Sequence, residues 1–153
     1  MEHDLFIDGN IKEYTWTIRT GEKLVEQIRE HPPAYMSGGK LDVKASEESK
    51  FIALHIGIYW GLGVFIIKDN DQVNVMCDSK TMYEIFTQDK TSDNQIINDK
   101  VRFINQLTEL RKVKMNFQLI DSKDNLSTRH LFAEGKDTAG RDSFSYVLSL
   151  IHI

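Results

Sequence analysis

Hydrophobic and polar positions along the chain follow two different periods. Residues 4–8 form a short apolar run, Leu5-Phe6-Ile7 between two aspartates, closed by Gly9-Asn10, which predicts a strand running into a turn. In residues 14–19, Tyr14, Trp16 and Ile18 alternate with Thr15, Thr17 and Arg19, the period of a half-buried strand. The two together predict an antiparallel pair. Residues 21–43 fit either a short helix or a continued strand through Leu24, Val25 and Ile28; Pro32-Pro33 ends that element, and Ser37-Gly38-Gly39 reads as loop. The period then lengthens. Ser46 before Glu47-Glu48 reads as a helix start, and Phe51, Leu54, Ile58 and Leu62 recur at helical spacing. Gly57, Gly61 and Gly63 would each cost an exposed helix about 1 kcal/mol relative to Ala, so they predict a neighbour packed closely against this helix.

Alternation returns over residues 72–77 (Gln72 to Cys77), a strand ending at Asp78-Ser79, and a short helix follows over residues 80–86. Residues 91–94 are a polar loop. Ile97, Val101, Ile104, Leu107 and Leu110 mark an amphipathic helix over residues 95–112, and residues 113–120 alternate again. From about Leu126 the chain reads as helix plus loop, with breaks at Gly135 and Gly140. Strand–helix–strand crossovers in the second half imply parallel pairing there. The expected fold class is therefore α/β with a mixed sheet, antiparallel at its N-terminal strands and parallel later, in a single domain over residues 1–153.

Composition narrows the setting. With 41% hydrophobic and 27% charged residues the chain is that of a folded globular protein, without an apolar run long enough to cross a membrane. The N-terminus carries acids where a secretory leader would carry bases, so a cytoplasmic location is expected. Cys77 is the only cysteine, which excludes an internal disulfide and a thiolate metal cluster and leaves it as a small core residue. Nineteen Lys and Arg against 23 Asp and Glu, a net charge of −4, argue against strong non-specific nucleic-acid binding. His3, His31, His55 and His152 show no ligand spacing, Gly61-Leu62-Gly63 lacks the flanking elements of a phosphate loop, and no serine has the glycines of a nucleophile elbow.

Four local patterns, in order, carry a resemblance: Leu5-Phe6-Ile7-Asp8-Gly9; Ser49-Lys50-Phe51-Ile52-Ala53-Leu54 with Gly57; Val75-Met76-Cys77-Asp78-Ser79-Lys80; and Phe117-Gln118-Leu119-Ile120 followed by Asn125 and Arg129. In this order the chain resembles the ribonuclease H family, in particular its compact branch. The resemblance implies a ribonuclease H-like mixed sheet flanked by helices. It also implies four acidic positions that hold two Mg²⁺ ions for cleaving the RNA strand of an RNA–DNA hybrid, since hard divalent cations need several carboxylate oxygens. The first and third of these positions are Asp8 and Asp78, but the second is Lys50 and the fourth is Arg129.

Two aspartates facing a lysine and an arginine balance without metal, so the expectation is a degenerate site in which Lys50 and Arg129 bridge Asp8 and Asp78. The competing alignment keeps the site active: Glu47, one turn from Lys50 on the same helix face, takes the second position, His130 becomes the family's loop histidine, and Asp142 supplies the fourth carboxylate. The favoured expectation is a non-catalytic ribonuclease H-like module with no cofactor, acting as a binding or scaffold domain for a protein partner or a weakly held nucleic acid. Tyr14, Trp16, Tyr59 and Trp60 are candidate contact aromatics, with core packing the competing role for each. The alternatives are an active ribonuclease H dependent on Mg²⁺ or Mn²⁺, and an unrelated α/β interaction domain.

Overall fold

The computed structural model of the protein describes residues 1–31 and 43–131. Strands β1 (Glu2–Gly9), β2 (Glu13–Thr20) and β3 (Lys23–Glu30) follow one another, then helix α1 (Val43–Gly63), β4 (Gln72–Cys77), α2 (Lys80–Gln88), α3 (Gln95–Arg111) and β5 (Lys114–Leu119). The sheet order is β3-β2-β1-β4-β5. β1 pairs antiparallel with β2 (Ile7 opposite Trp16) and parallel with β4 (Leu5 opposite Val75), and β4 pairs parallel with β5 (Val75 opposite Phe117). A single-turn 3₁₀ helix (Ser122–Asp124) follows β5, and a helical turn starts at Thr128.

Residues 23–30, which fit helix or strand equally by pattern, form a third antiparallel strand. β3 is an edge strand, and its burial is irregular because only part of it faces the core. Pro32-Pro33 and Ser37-Gly38-Gly39 lie outside the described residues, as do Gly135 and Gly140. The helix start expected at Ser46 is corrected: α1 already runs from Val43, so Ser46 lies inside its first turn. The other two helices are capped as their sequences imply. The Ser79 side chain accepts a hydrogen bond from the Met82 N–H at the start of α2, and Asn94 accepts from the Ile96 and Ile97 N–H groups at the start of α3.

Inward positions of the alternating strands (Leu5, Ile7, Trp16, Ile18, Val73, Val75) meet Phe51, Leu54, Ile58 and Leu62 of α1 in one core. Close approach to α1 is enforced at two glycines. A Cβ on Gly57 would lie 3.1 Å from Trp16 Cγ, and one on Gly61 would lie 2.7 Å from Ile67 Cδ1. Gly63 is a correction, because a Cβ there would meet nothing within 4 Å. Trp16 is fully buried, Tyr14 and Trp60 pack partly buried against the core, and only Tyr59 is largely exposed. Cys77 is buried, and burial pushes its thiol up to about 11, leaving an inert packing residue.

Candidate functional site

Because β1 and β4 are parallel neighbours, their carboxyl ends emerge side by side. Asp8 lies one residue before the end of β1 and Asp78 directly after β4, so the topology alone brings the two carboxylates together. Helix α1 passes above this end, and the chain leaving β5 returns beneath it through residues 121–131. A Cβ on Gly9 would stand 2.1 Å from Ser49 Oγ, so only glycine lets α1 approach β1 here, one residue before Lys50.

Every oxygen of the two carboxylates has a partner. Lys50 Nζ is 3.0 Å from Asp78 Oδ1 and 3.9 Å from Asp8 Oδ1. Asp8 Oδ1 also accepts the Gly9 N–H at 2.8 Å, and Asp8 Oδ2 accepts the Thr128 hydroxyl at 2.5 Å. Asp78 Oδ2 accepts Asn125 Nδ2 at 3.1 Å, and the same amide group donates to the Ile7 carbonyl at 2.9 Å. Ser127, fully buried, donates to the Phe6 carbonyl at 3.0 Å and lies 2.9 Å from the Thr17 hydroxyl. The side chains of Lys50, Asp8 and Asp78 are 19%, 10% and 3% exposed, so the pairing is screened little by water.

The electrostatics follow from this closure. Burial raises the Asp8 carboxyl above its ordinary value; the Thr128 hydrogen bond and the Lys50 charge offset only part of that, and Asp78 adds to it. Burial works against the Lys50 ammonium, but the charges of Asp78 and Asp8 outweigh it and hold the lysine above its ordinary value. Lysine therefore stays charged between two carboxylates.

The remaining sequence candidates do not join this cluster. Arg129 is a correction: instead of bridging Asp8 and Asp78, it pairs with Glu26 of β3, where His130 Nε2 also lies 2.9 Å away. Burial alone would raise the Glu26 carboxyl, but hydrogen bonds from His130 and Arg129 hold it below its ordinary value. Glu47 accepts the Ser79 hydroxyl at 2.8 Å and Glu48 accepts Asn94 Nδ2 at 2.5 Å, so both tie α1 to the starts of α2 and α3. Glu47 is near enough to add to the field on Lys50. Asp142 lies outside the described residues. Ser127 and Thr128 join Asn125, which already stands in the fourth pattern of the resemblance, around the cluster. Their signal was a run of short polar side chains after a strand, the kind that folds on its own backbone: Asn125 Oδ1 accepts the Ser127 N–H at 3.0 Å.

The described residues do not fit the divalent metals that the resemblance implies. No three His, Cys, Asp or Glu side chains among them converge closely enough to hold an ion. The point where the Asp8 and Asp78 oxygens converge is taken by an ammonium group, which repels a divalent cation and removes its ligands.

No family model matches the sequence, and no curated protein matches it. Solved structures do match. RNase H1 from the halophilic archaeon Halobacterium salinarum NRC-1 superposes with a TM-score of 0.62 at 12% identity, over 86% of this chain and 98% of that one. The N-terminal RNase H domain of Rv2228c from Mycobacterium tuberculosis, solved as a fusion with maltose-binding protein, gives 0.58 at 12% identity, over 90% and 99%. LC11-RNase H1, solved in complex with an RNA/DNA hybrid, gives 0.57 at 12% identity, over 81% and 88%. At this identity the likeness establishes the fold, which is ribonuclease H-like.

Proposed function

We propose that this ribonuclease H-like domain has exchanged metal catalysis for an internal ion pair and works as a non-catalytic binding or scaffold module. The observation that carries the reading is the Lys50 ammonium, 3.0 Å from Asp78 and 3.9 Å from Asp8. A hydrolytic site built on those carboxylates would need their oxygens open to cations, whereas here each has an internal donor. The rest of the cluster is consistent with this. Asn125 and Thr128 donate to the remaining oxygens of Asp78 and Asp8, so the ion pair is closed on all sides by the chain's own donors.

The net charge of −4 favours a protein partner over a phosphate backbone. A weakly held hybrid duplex is the second binding partner in this reading, since the similarly folded LC11-RNase H1 was solved with an RNA/DNA hybrid. The competing function is a Mg²⁺- or Mn²⁺-dependent ribonuclease H, favoured by the retention of Asp8 and Asp78 at adjoining strand ends. A labelled RNA/DNA hybrid incubated with wild type and Asp8→Asn in MgCl₂ or MnCl₂ separates the two. No cleavage above buffer by either protein supports the module; metal-dependent cleavage by wild type that Asp8→Asn abolishes establishes the nuclease.

A further inference from the structure

We propose that Lys100 is a nucleophilic amine, activated by His55, that takes acyl groups from thioesters on the outer face of the α1–α3 pair. The neighbourhood differs from that of the ion-paired lysines among the described residues. Lys50 faces two aspartates, and Lys80 and Lys90 both reach Glu84. Lys100 Nζ instead lies 3.4 Å from His55 Nδ1, a nitrogen base on the facing helix. The nearest acid on its own helix, Asp99, is already engaged by Arg102 Nη1 at 3.1 Å and by Gln95 Nε2 at 2.9 Å.

An aromatic floor completes the group. The His55 and Phe103 rings are 5.7 Å apart, Lys100 Nζ is 6.0 Å from the Phe103 centroid, and the Arg102 guanidinium carbon is 5.0 Å from the same centroid. Lys100 thus lies beside the Phe103 ring, while the Arg102 charge next to the same ring is compensated by Asp99. Among the described residues, the titratable groups that act on or contact Lys100 are His55 from α1 and Asp99 from α3. Burial holds the Lys100 amine below its ordinary value, against a small opposing effect of Asp99. Burial, with the charge of Lys100, likewise holds His55 below its ordinary value. An imidazole nitrogen facing an amine is the pairing that nucleophilic catalysis requires, and a separation slightly longer than a tight hydrogen bond is usual before a substrate is present.

The step balances without redox chemistry. The Nζ lone pair attacks the thioester carbonyl carbon, the C–N bond forms, and the C–S bond breaks. The amine proton passes to His55 Nδ1, which returns it to the departing thiolate. The products are an amide on Lys100 and a free thiol. Nothing in this step involves the Asp8–Lys50–Asp78 cluster.

The whole protein, treated with S-acetyl-N-acetylcysteamine at mildly alkaline pH and followed by peptide mass spectrometry, gives the relative rates. Side-chain exposures of 79% for Lys80 and 54% for Lys90 favour those residues, against a half-buried Lys100, if access alone decides. The expected result is Lys100 acetylated roughly tenfold faster than either, with the advantage lost in His55→Gln, whose amide can hold the lysine but cannot take its proton. Equal or slower modification of Lys100 in the wild type overturns the proposal without any variant. An advantage that persists in folded His55→Gln overturns it as well.

Discussion

Replacing Lys50 with methionine removes the one cation from the carboxylate cluster while keeping most of the side-chain bulk. At an effective dielectric constant of about 20, a unit pair at the observed 3.0 Å attracts by about 5–6 kcal/mol and one at 3.9 Å by about 4 kcal/mol, before desolvation is subtracted. Desolvation consumes much of that in the intact protein. Removing one partner of such a pair is another matter, since it leaves the opposing charges buried and uncompensated. Asp78 is 3% exposed and Asp8 10%, so Lys50→Met should destabilise the fold by about 3 kcal/mol at pH 7, or about 6–12 °C in Tm for a chain of this size.

The same variant carries a pH signature. Without the ammonium, the Asp8 carboxyl, already raised by burial and by Asp78, loses the lysine charge that offsets part of this and moves further above its unfolded value. Such groups favour the folded state below the unfolded pKa, and that contribution is lost as pH rises through the folded pKa. The gap in Tm between wild type and Lys50→Met should therefore narrow as pH falls from 7 towards 4. Thermal melts followed by far-UV circular dichroism across that range measure both effects. A variant that melts within about 3 °C of wild type at pH 7, with a gap independent of pH, would refute the claim that Lys50 compensates these carboxylates.

Three further outcomes follow from the same geometry. Wild-type stability should decline on the alkaline side: the raised Lys50 pKa contributes stability in full below the unfolded lysine value and loses it as pH rises through the folded one, a limb that Lys50→Met lacks in alkaline urea titrations. Arg129→Ala, which removes a half-exposed pair with Glu26 rather than a cluster member, should change stability by no more than about 1 kcal/mol in urea unfolding. Gly9→Ala should cost about 2–3 kcal/mol because its Cβ would lie 2.1 Å from Ser49 Oγ, whereas Gly63→Ala, facing open space, should be neutral or stabilising by about 0.5 kcal/mol in the same assay.

Much of this architecture can be read from local pattern. The strand around Val73-Val75 alternates strictly, Tyr14, Trp16 and Ile18 alternate with polar residues, and Leu5-Phe6-Ile7 is a short apolar run closed by a turn, so pattern identifies all three. The α3 stripe holds through Ile97 and Ile104 but fails at Leu110, which is 77% exposed. β3 is ambiguous because an edge strand buries only part of its length, and Leu24, Val25 and Ile28 satisfy both periods. Asp8, Asp78 and Lys50 are placed by the resemblance, whose patterns set the two aspartates at strand ends and the lysine on the helix between them. Arg129 is not correctly placed by it, because its partner depends on how a helical turn docks on β3. The sequence has no local signal for a contact to Glu26, more than a hundred positions away. Thr128 carries no signal for the opposite reason: short polar residues after a strand form turns so commonly that its contact with Asp8, like the bond from Asn125 to Asp78, appears only once the chain has returned beneath the sheet.

The central claim is that Lys50 occupies the place of a divalent cation. Its most direct test is a thermal melt of wild type and of Lys50→Glu with and without MnCl₂ at about ten times a millimolar Kd. Wild type should show no shift, while Lys50→Glu, which returns a third carboxylate to the cluster, should gain about 1.4 kcal/mol from the metal. A Mn²⁺-dependent rise in wild type that Asp78→Asn abolishes would contradict the account and mark a working metal site.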